Sequence, residues 1–275
     1  MQQLTTATKA TTESIRADQC TDKIRRWLSP PDPSTNASHA RSLRHEGTGA
    51  WLLENPVFQS WQLGWRQHVW LNGLAGCGKT VLSTTVLDHL ALGNDALVLS
   101  FFFDFNDMTK QSLDGLLRSL AFQLYHDGDN SANHLDTLFG AYQSGCNQPE
   151  MKTLSDTVFR MLTIQKKVFI ILDALDESKT RDSVLRWIKD IVSTPELDHV
   201  QLLCTSRPES EFLRHFPSLI GKENCLPFDK QTVNLDIRLW VTAQLSQRHE
   251  FTEKPLSQDI LEEIRSKVGS GADGM

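Results

Sequence analysis

Short apolar runs alternate with amphipathic stretches along most of this sequence. Four runs have the length of buried strands: His68–Asn72, Leu97–Phe103, Val168–Leu172 and Val200–Cys204. Between them, apolar residues recur at helical spacing in three stretches: Lys79–Leu92, Leu113–Leu124 and Ser183–Val192. Continuous apolar strands that alternate with helices are typical of a parallel sheet covered on both faces. The pattern therefore predicts a three-layer α/β fold.

The two ends of the chain lack this alternation. A weakly helical stretch at Ile15–Leu28 is followed by the prolines of Ser29–Ser34, which cannot continue a helix. A domain boundary is therefore expected near residues 29–40. A further helix is expected at Pro56–Trp65, with Phe58, Trp61 and Trp65 on one face.

After about residue 231 the strand pattern disappears. Two helices are predicted there, around Leu235–Leu245 and Ile260–Val268. The chain then ends on a glycine-rich segment without a clear domain ending. We expect an N-terminal helical segment and linker in residues 1–40, an α/β domain in residues 41–230, and a truncated small helical subdomain in residues 231–275.

Composition is that of an ordinary globular protein. Of the 275 residues, 39% are hydrophobic and 23% are charged, and the net charge is -6. An acidic chain lacks the basic surface that nucleic acid selects, and no apolar run approaches the length of a membrane span. The five cysteines form no CxxC pair, and the N-terminus has no apolar signal core. We expect a cytoplasmic protein with neither a nucleic-acid partner nor a membrane span.

The strongest chemical signal lies directly after the first predicted strand. Residues 73–80 read GLAGCGKT and match the pattern GxxxxGK[ST], with candidate binding residues Gly73, Gly76, Cys77, Gly78, Lys79 and Thr80. Such a loop turns successive N–H groups toward phosphate oxygens, and the helix after it adds its positive end. The lysine is expected at the β- and γ-phosphates and the threonine on magnesium. A chance glycine-rich turn is disfavoured, because the motif lies between a strand and a helix.

A second acidic motif follows the third predicted strand. Phe169–Leu172 is apolar and ends in Asp173, which is expected to orient magnesium. Asp176 and Glu177 follow closely and could position and deprotonate an attacking water. The alternative is an acidic helix start, where carboxylates are favourable in any case.

A basic residue ends the fourth predicted strand. Arg207 follows Thr205 and Ser206, and it could contact a γ-phosphate from a strand beside that of Asp173. The alternative is an ordinary strand-to-helix turn with Pro208 at the first helical position. A Ras-like GTPase would carry NKxD near this point, and a small-molecule kinase an arginine-rich lid; neither is present.

Taken together, three motifs resemble those of a NACHT domain: residues 73–80, residues 170–177 and residues 203–209. The sequences around residues 44–51 and 102–105 resemble the NACHT proteins of filamentous fungi and the N-terminal P-loop domain of nephrocystin-3-like proteins. This resemblance implies that Ala174 is the small residue after the magnesium aspartate. It also implies that Asp176 and Glu177 are the acidic pair and that Arg207 is the sensor arginine.

The resemblance also implies ATP as the nucleotide, with GTP possible, and Mg²⁺ as the metal. Relatives usually continue into a winged-helix region and repeats, whereas no repeat of 20 to 50 residues is found here. We therefore expect either a fragment or a short relative that has the nucleotide-binding domain but lacks the repeats that would sense a signal. Upstream, Thr48, Gly49 and Trp51 could cap the base of the nucleotide. The alternative is that Trp51 is a core residue.

The leading functional hypothesis is a signalling ATPase used as a molecular switch, with slow hydrolysis and protein partners or self-association. Two alternatives remain open at this point. One is a turnover ATPase acting as a remodeller, and the other is a module that holds nucleotide without hydrolysing it. Phosphate release by the purified protein would separate the three.

Overall fold

A five-stranded parallel sheet forms the centre of the protein in a computed structural model, which describes residues 19–93, 96–128, 131–247 and 257–271. The strands are β1 (His68–Asn72), β2 (Leu97–Phe102), β3 (Val168–Asp173), β4 (Val200–Ser206) and β5 (Cys225–Pro227). Their order across the sheet is β2-β3-β4-β1-β5. Strand β4 therefore separates β1, which leads into the 73–80 motif, from β3, which ends in Asp173.

Helices connect the strands and flank the sheet. Those that precede β2 are α1 (residues 19–28), α2 (Ser34–Leu43), α3 (Ala50–Glu54), α4 (Pro56–Gln62) and α5 (Lys79–Ala91). Those that follow β2 are α6 (Leu113–Asp127), α7 (Ala132–Ala141), α8 (Met151–Thr163), α9 (Arg181–Ser193), α10 (Ser210–Ile220), α11 (Lys230–Gln247) and α12 (Gln258–Gly271). Short 3-10 turns lie at Met108–Lys110, Gln143–Gly145, Leu175–Glu177, Pro195–Leu197 and Lys222–Asn224.

Alternate residues of each strand enter two separate cores, because successive side chains of a strand point to opposite faces of a sheet. On one face, Ile170 and Leu202 pack with α1 and α6 to α10. On the other, Ile171 and Leu203 pack with α2 to α5. Both faces are covered, so the predicted three-layer α/β fold is confirmed. This double burial also explains why the strands read as continuous apolar runs rather than alternating ones.

The four predicted strands are present, with ends shifted by at most two residues. Strand β5 was not predicted, since three residues give no periodic signal. Helix α2 begins directly after the prolines, inside the stretch expected to be linker. The predicted helix at Pro56–Trp65 ends at Gln62, and Trp65 is 80% exposed, so its placement on one helix face with the buried Phe58 and Trp61 was wrong. Of the predicted helix at Ile15–Leu28, residues 15–18 lie outside the described residues.

The two helices predicted after residue 231 correspond to α11 and α12, which pack against each other. Val233 and Val241 of α11 are buried, whereas Leu235 and Leu239 are half-exposed. None of the helices in the described ranges is long and apolar enough to cross a membrane.

A substitution in the sheet tests the two-core arrangement. Leu203 is fully buried on β4, whereas Leu213 on α10 is 51% exposed. We expect Leu203→Ala to lower the free energy of unfolding by about 2–5 kcal/mol, because it leaves a cavity that the neighbouring side chains cannot fill. Leu213→Ala should change it by less than about 0.5 kcal/mol. Urea unfolding followed by circular dichroism measures both, and equal losses would contradict this arrangement.

Candidate functional site

The loop between β1 and α5, residues 73–78, wraps around the N-terminal end of that helix. Gly76 and Gly78 have φ angles of 76° and 89°, in the left-handed region that favours glycine. The Lys79 side chain turns back over the loop, and its ammonium group donates to the carbonyl oxygens of Gly73 at 2.9 Å and Leu74 at 2.8 Å. This places a buried positive charge over a loop whose backbone geometry suits phosphate oxygens.

Cys77 lies buried inside this loop. Burial raises the pKa of its thiol, and the nearby Lys79 ammonium only partly opposes that shift. The thiol is therefore held in its neutral form, as a packing group rather than a nucleophile.

Asp173, at the end of β3, is the most enclosed acidic residue of the site, at 1% exposure. Its carboxylate accepts hydrogen bonds of 2.7 Å from the hydroxyl groups of Thr80, Ser83 and Thr205. Burial raises the pKa of this carboxyl, and the three hydroxyl groups oppose the shift. Thr80 and Asp173, predicted from separate motifs, are thus in direct contact.

The chain turns sharply immediately after Asp173. Ala174 has a φ of 56°, and its amide donates to the Thr205 hydroxyl at 2.9 Å. The left-handed conformation costs a residue other than glycine about 1–2 kcal/mol. The 3-10 turn that follows sends its two acidic side chains toward different neighbours.

Asp176 faces the end of β4. One carboxylate oxygen accepts from the Arg207 amide at 2.9 Å, and the other lies 3.0 Å from Nε of the same residue. Arg181 also donates to the backbone carbonyl of Asp176. The structure therefore pairs Asp176 with the predicted sensor, Arg207, whose side chain is 44% exposed.

Glu177 faces the opposite way, toward the loop that joins β2 to α6, residues 103–112. Its carboxylate accepts from the Phe105 amide at 3.0 Å. Burial raises the pKa of the Glu177 carboxyl, and the negative charges of Asp176, Asp104 and Asp173 add to the increase. A group with these properties suits proton transfer better than an exposed glutamate does.

Glu177, Thr80 and Asp173 line one open cavity of about 500 Å³. We call it the Glu177 cavity. Its other walls are the β2–α6 loop and helix α2, including Asn36 and His39. The candidate magnesium ligands and the candidate base thus share a space large enough for phosphate groups and water.

Gly76 and Gly78, from the loop formed by residues 73–78, form part of the wall of a second cavity, of about 220 Å³. We call it the Gly49 cavity, because Thr48, Gly49 and Trp51 also line it. The Thr48 hydroxyl donates to the His45 carbonyl oxygen at 2.7 Å. The structure therefore places the three residues predicted to cap a base beside the phosphate-loop motif, around an aromatic-walled space.

Helix α11 contributes four residues to the wall of the Gly49 cavity: Val233, Asp236, Ile237 and Trp240. The Asp236 carboxylate accepts from the Gly49 amide at 3.0 Å and from the Trp51 indole at 3.1 Å. Burial raises its pKa, against these two hydrogen bonds. Trp51 also packs edge-to-face on Phe228, with ring centroids 5.9 Å apart.

Sequence patterns did not indicate several of these residues. Ser83 could have been found, since it lies three positions after Thr80 on the same helix face. Asp236 belongs to no motif and reaches the site only through tertiary packing. Phe105 lies in the segment 102–105 that resembles relatives, but that resemblance did not indicate that its backbone amide would bind Glu177.

The donor set of the Glu177 cavity suits Mg²⁺. This ion prefers oxygen ligands and is usually held by one or two carboxylates together with substrate phosphates. Thr80 and Asp173 offer a hydroxyl and a carboxylate 2.7 Å apart. Within the described part of the chain, no group of three or more His, Cys, Asp or Glu residues could hold a metal ion.

Comparison with known proteins agrees with this geometry. A family model described as "Nephrocystin 3, N-terminal" matches residues 47–207. The vegetative incompatibility protein HET-E-1 of Podospora anserina is 29% identical over 168 residues, which are 54% of this chain and 12% of that protein. The chain therefore corresponds to only a small part of that relative's length.

The matched residues include Gly49, the loop formed by residues 73–78, strand β3 with Asp173, and Arg207. They cover more than half of the chain and contain the first two predicted motifs and residues 203–207 of the third. The chain belongs to the nephrocystin 3 N-terminal family of NACHT-like P-loop domains.

Proposed function

We propose that this chain binds a nucleoside triphosphate, ATP in the first instance, together with Mg²⁺, and hydrolyses it slowly as a signalling switch. The observation that carries the proposal is the convergence of Lys79, Thr80 and Asp173 at one edge of the sheet, with Thr80 and Asp173 in contact at 2.7 Å. Identification of the nucleotide released from the purified protein tests the first part. Steady-state phosphate release tests the second.

Within this proposal, each residue has a distinct role. Lys79 exchanges its two backbone carbonyl partners for phosphate oxygens. Thr80 and Asp173 hold Mg²⁺, which neutralises phosphate charge when it is bound. Glu177 orients a water and accepts its proton, whereas Asp176 holds Arg207 in place to contact the γ-phosphate.

The contacts of Glu177 and Arg207 support slow turnover. The Glu177 carboxylate is bonded to the Phe105 amide, and Arg207 is paired with Asp176. Both groups would have to exchange or share existing partners before they act on a substrate. A signalling role also agrees with the vegetative incompatibility named for the fungal relative.

Asp236 supports a switch that couples nucleotide to domain packing. It joins the helical subdomain to Gly49 and Trp51 at the wall of the Gly49 cavity. A nucleotide base bound in this cavity would lie beside the hydrogen bonds by which Asp236 joins α11 to Gly49 and Trp51. Its occupancy would thereby bias their packing, and through it self-association or partner binding.

Two substitutions separate binding from hydrolysis. Lys79 contacts phosphates in the ground state, so Lys79→Ala should abolish co-purification of nucleotide and weaken ATP binding. Glu177 acts only as the reaction proceeds, so Glu177→Gln should retain ATP and slow hydrolysis by about 10²–10⁴-fold. Calorimetry and single-turnover hydrolysis measure the two effects. If Glu177→Gln hydrolyses at the wild-type rate, Glu177 is not the base.

Removal of magnesium tests the role of Asp173. The wild-type protein should bind ATP more tightly with Mg²⁺ than with a chelator, and Asp173→Asn should lose most of this difference. The nucleotide-free variant should be at least as stable as the wild type, because a buried charge is replaced by a neutral group of the same shape. Asp190→Asn, at an exposed position, is the matched control. Equal magnesium dependence in Asp173→Asn and in the wild type would reject this metal site.

Hydrolysis should also depend on pH through Glu177. The residue accepts a proton only when ionised, so the rate should fall as acid protonates it. Because its pKa is raised, the fall should begin at a higher pH than the ordinary glutamate value of 4.5 would give. Single-turnover rates over the pH range in which the protein stays folded measure this. The same acid dependence in Glu177→Gln would assign it to another group.

A further inference from the structure

A buried lysine beside the Glu177 cavity has no role in the chemistry proposed above. Lys110 is 3% exposed, and its ammonium group donates to the Thr35 hydroxyl at 2.5 Å and the Asn36 side-chain carbonyl at 2.6 Å. The nearest carboxylate, that of Asp107, is 3.8 Å away. Burial of an ammonium group is costly unless it is paired and hydrogen-bonded. The Thr35 and Asn36 side chains of α2 therefore provide much of the hydrogen bonding that stabilises this buried charge.

Asn36 also contacts the other end of the β2–α6 loop, to which Lys110 belongs. Its side-chain amide donates to the Asp104 carboxylate at 2.8 Å, and the other oxygen of Asp104 accepts from the Asn106 amide at 2.8 Å. Asn36 thus lies between a buried cation and a carboxylate, with its acceptor toward the first and its donor toward the second. No charged side chain could satisfy both neighbours equally well.

This loop in turn presents the group that holds Glu177. The Phe105 amide, between Asp104 and Asn106, donates to the Glu177 carboxylate at 3.0 Å. The Gln111 side chain donates to the Phe105 carbonyl, and the Gln111 carbonyl accepts from the Lys179 amide at 2.7 Å. The loop is thereby fixed to the segment that carries Glu177. The Phe105 side chain is 62% exposed and contributes little packing that could hold the loop by itself.

We propose that Asn36 and Lys110 are positioning residues for Glu177, and that helix α2 therefore belongs to the hydrolysis apparatus. The inference rests on the proposed function. Residue 36 lies outside the matched family segment, residues 47–207, so the family match assigns it nothing. Asn36 acts through Asp104 and the Phe105 amide, without contacting Lys79, Thr80 or Asp173.

Asn36→Ala tests this role. The protein is loaded with ATP labelled at the γ-phosphate, and Mg²⁺ starts a single turnover. Hydrolysis should slow by about 10- to 100-fold, because a base displaced by a fraction of an ångström loses its geometry. ATP affinity should stay within about twofold of the wild type, since Lys79 is untouched. Ser42→Ala removes a hydroxyl on the same helix that donates to the His39 carbonyl of that helix, and it should hydrolyse at the wild-type rate.

A second variant separates the two hydrogen bonds of the Asn36 side chain, one with Lys110 and one with Asp104. Asn36→Asp keeps an acceptor for Lys110 but removes the donor and sets a carboxylate against Asp104. It should slow hydrolysis at least as much as Asn36→Ala while leaving thermal stability closer to that of the wild type. Hydrolysis at the wild-type rate in both variants would overturn the inference.

A double-mutant cycle distinguishes positioning from general structural damage. If Asn36 acts through Glu177, then Asn36→Ala should slow the Glu177→Gln protein by less than about twofold. Equal slowing in both backgrounds, or a parallel loss of ATP affinity, would overturn the inference. If Glu177→Gln alone hydrolyses at the wild-type rate, both the inference and the assignment of Glu177 as base fail. If Glu177→Gln slows hydrolysis and Asn36→Ala does not, the inference about Asn36 and Lys110 fails, whereas the assignment of Glu177 as base stands.

Discussion

Three hydroxyl groups hold the buried carboxylate of Asp173. Two belong to helix α5, those of Thr80 and Ser83, and the third, from Thr205, belongs to β4. A buried carboxylate needs such donors, because its desolvation is otherwise too costly. These bonds tie the helix that begins at Lys79 to two neighbouring strands. Among the described residues, no cationic side chain forms an ion pair with this carboxylate, so its negative charge is open to Mg²⁺.

The turn at Ala174 decides what the acidic pair can do. Two adjacent carboxylates at a regular helix start could both have pointed toward the candidate magnesium site. Here the 3-10 turn directs Asp176 toward Arg207 and Glu177 toward the Phe105 amide. Their surroundings differ accordingly, since Asp176 has a cationic partner and Glu177 faces other carboxylates. One residue is thereby suited to hold a cation in place and the other to accept a proton.

The two flanking segments reach the site mainly at different cavities. Helix α2 lines the Glu177 cavity and contacts Lys110 and Asp104, whereas α11 lines the Gly49 cavity through Asp236. The proposed nucleotide would therefore have one end near each flanking segment. Coupling of nucleotide state to the packing of either segment needs only local exchanges of hydrogen bonds, which is the usual basis of such switches.

The sequence alone determined the layered fold, the 73–80 loop and the position of Asp173 at the end of a buried strand. Each rests on a local pattern: apolar strands of fixed length, glycines where φ is positive, and a carboxylate at a strand end. The short strand β5 was missed because three residues are too few to show a periodic pattern. Helix α2 was missed because the prolines before it indicated a linker. The tertiary structure alone separated Asp176 from Glu177 and brought Asp236 to Gly49. Those outcomes depend on which side chains meet across long stretches of chain, and no local spacing in the sequence encodes such contacts.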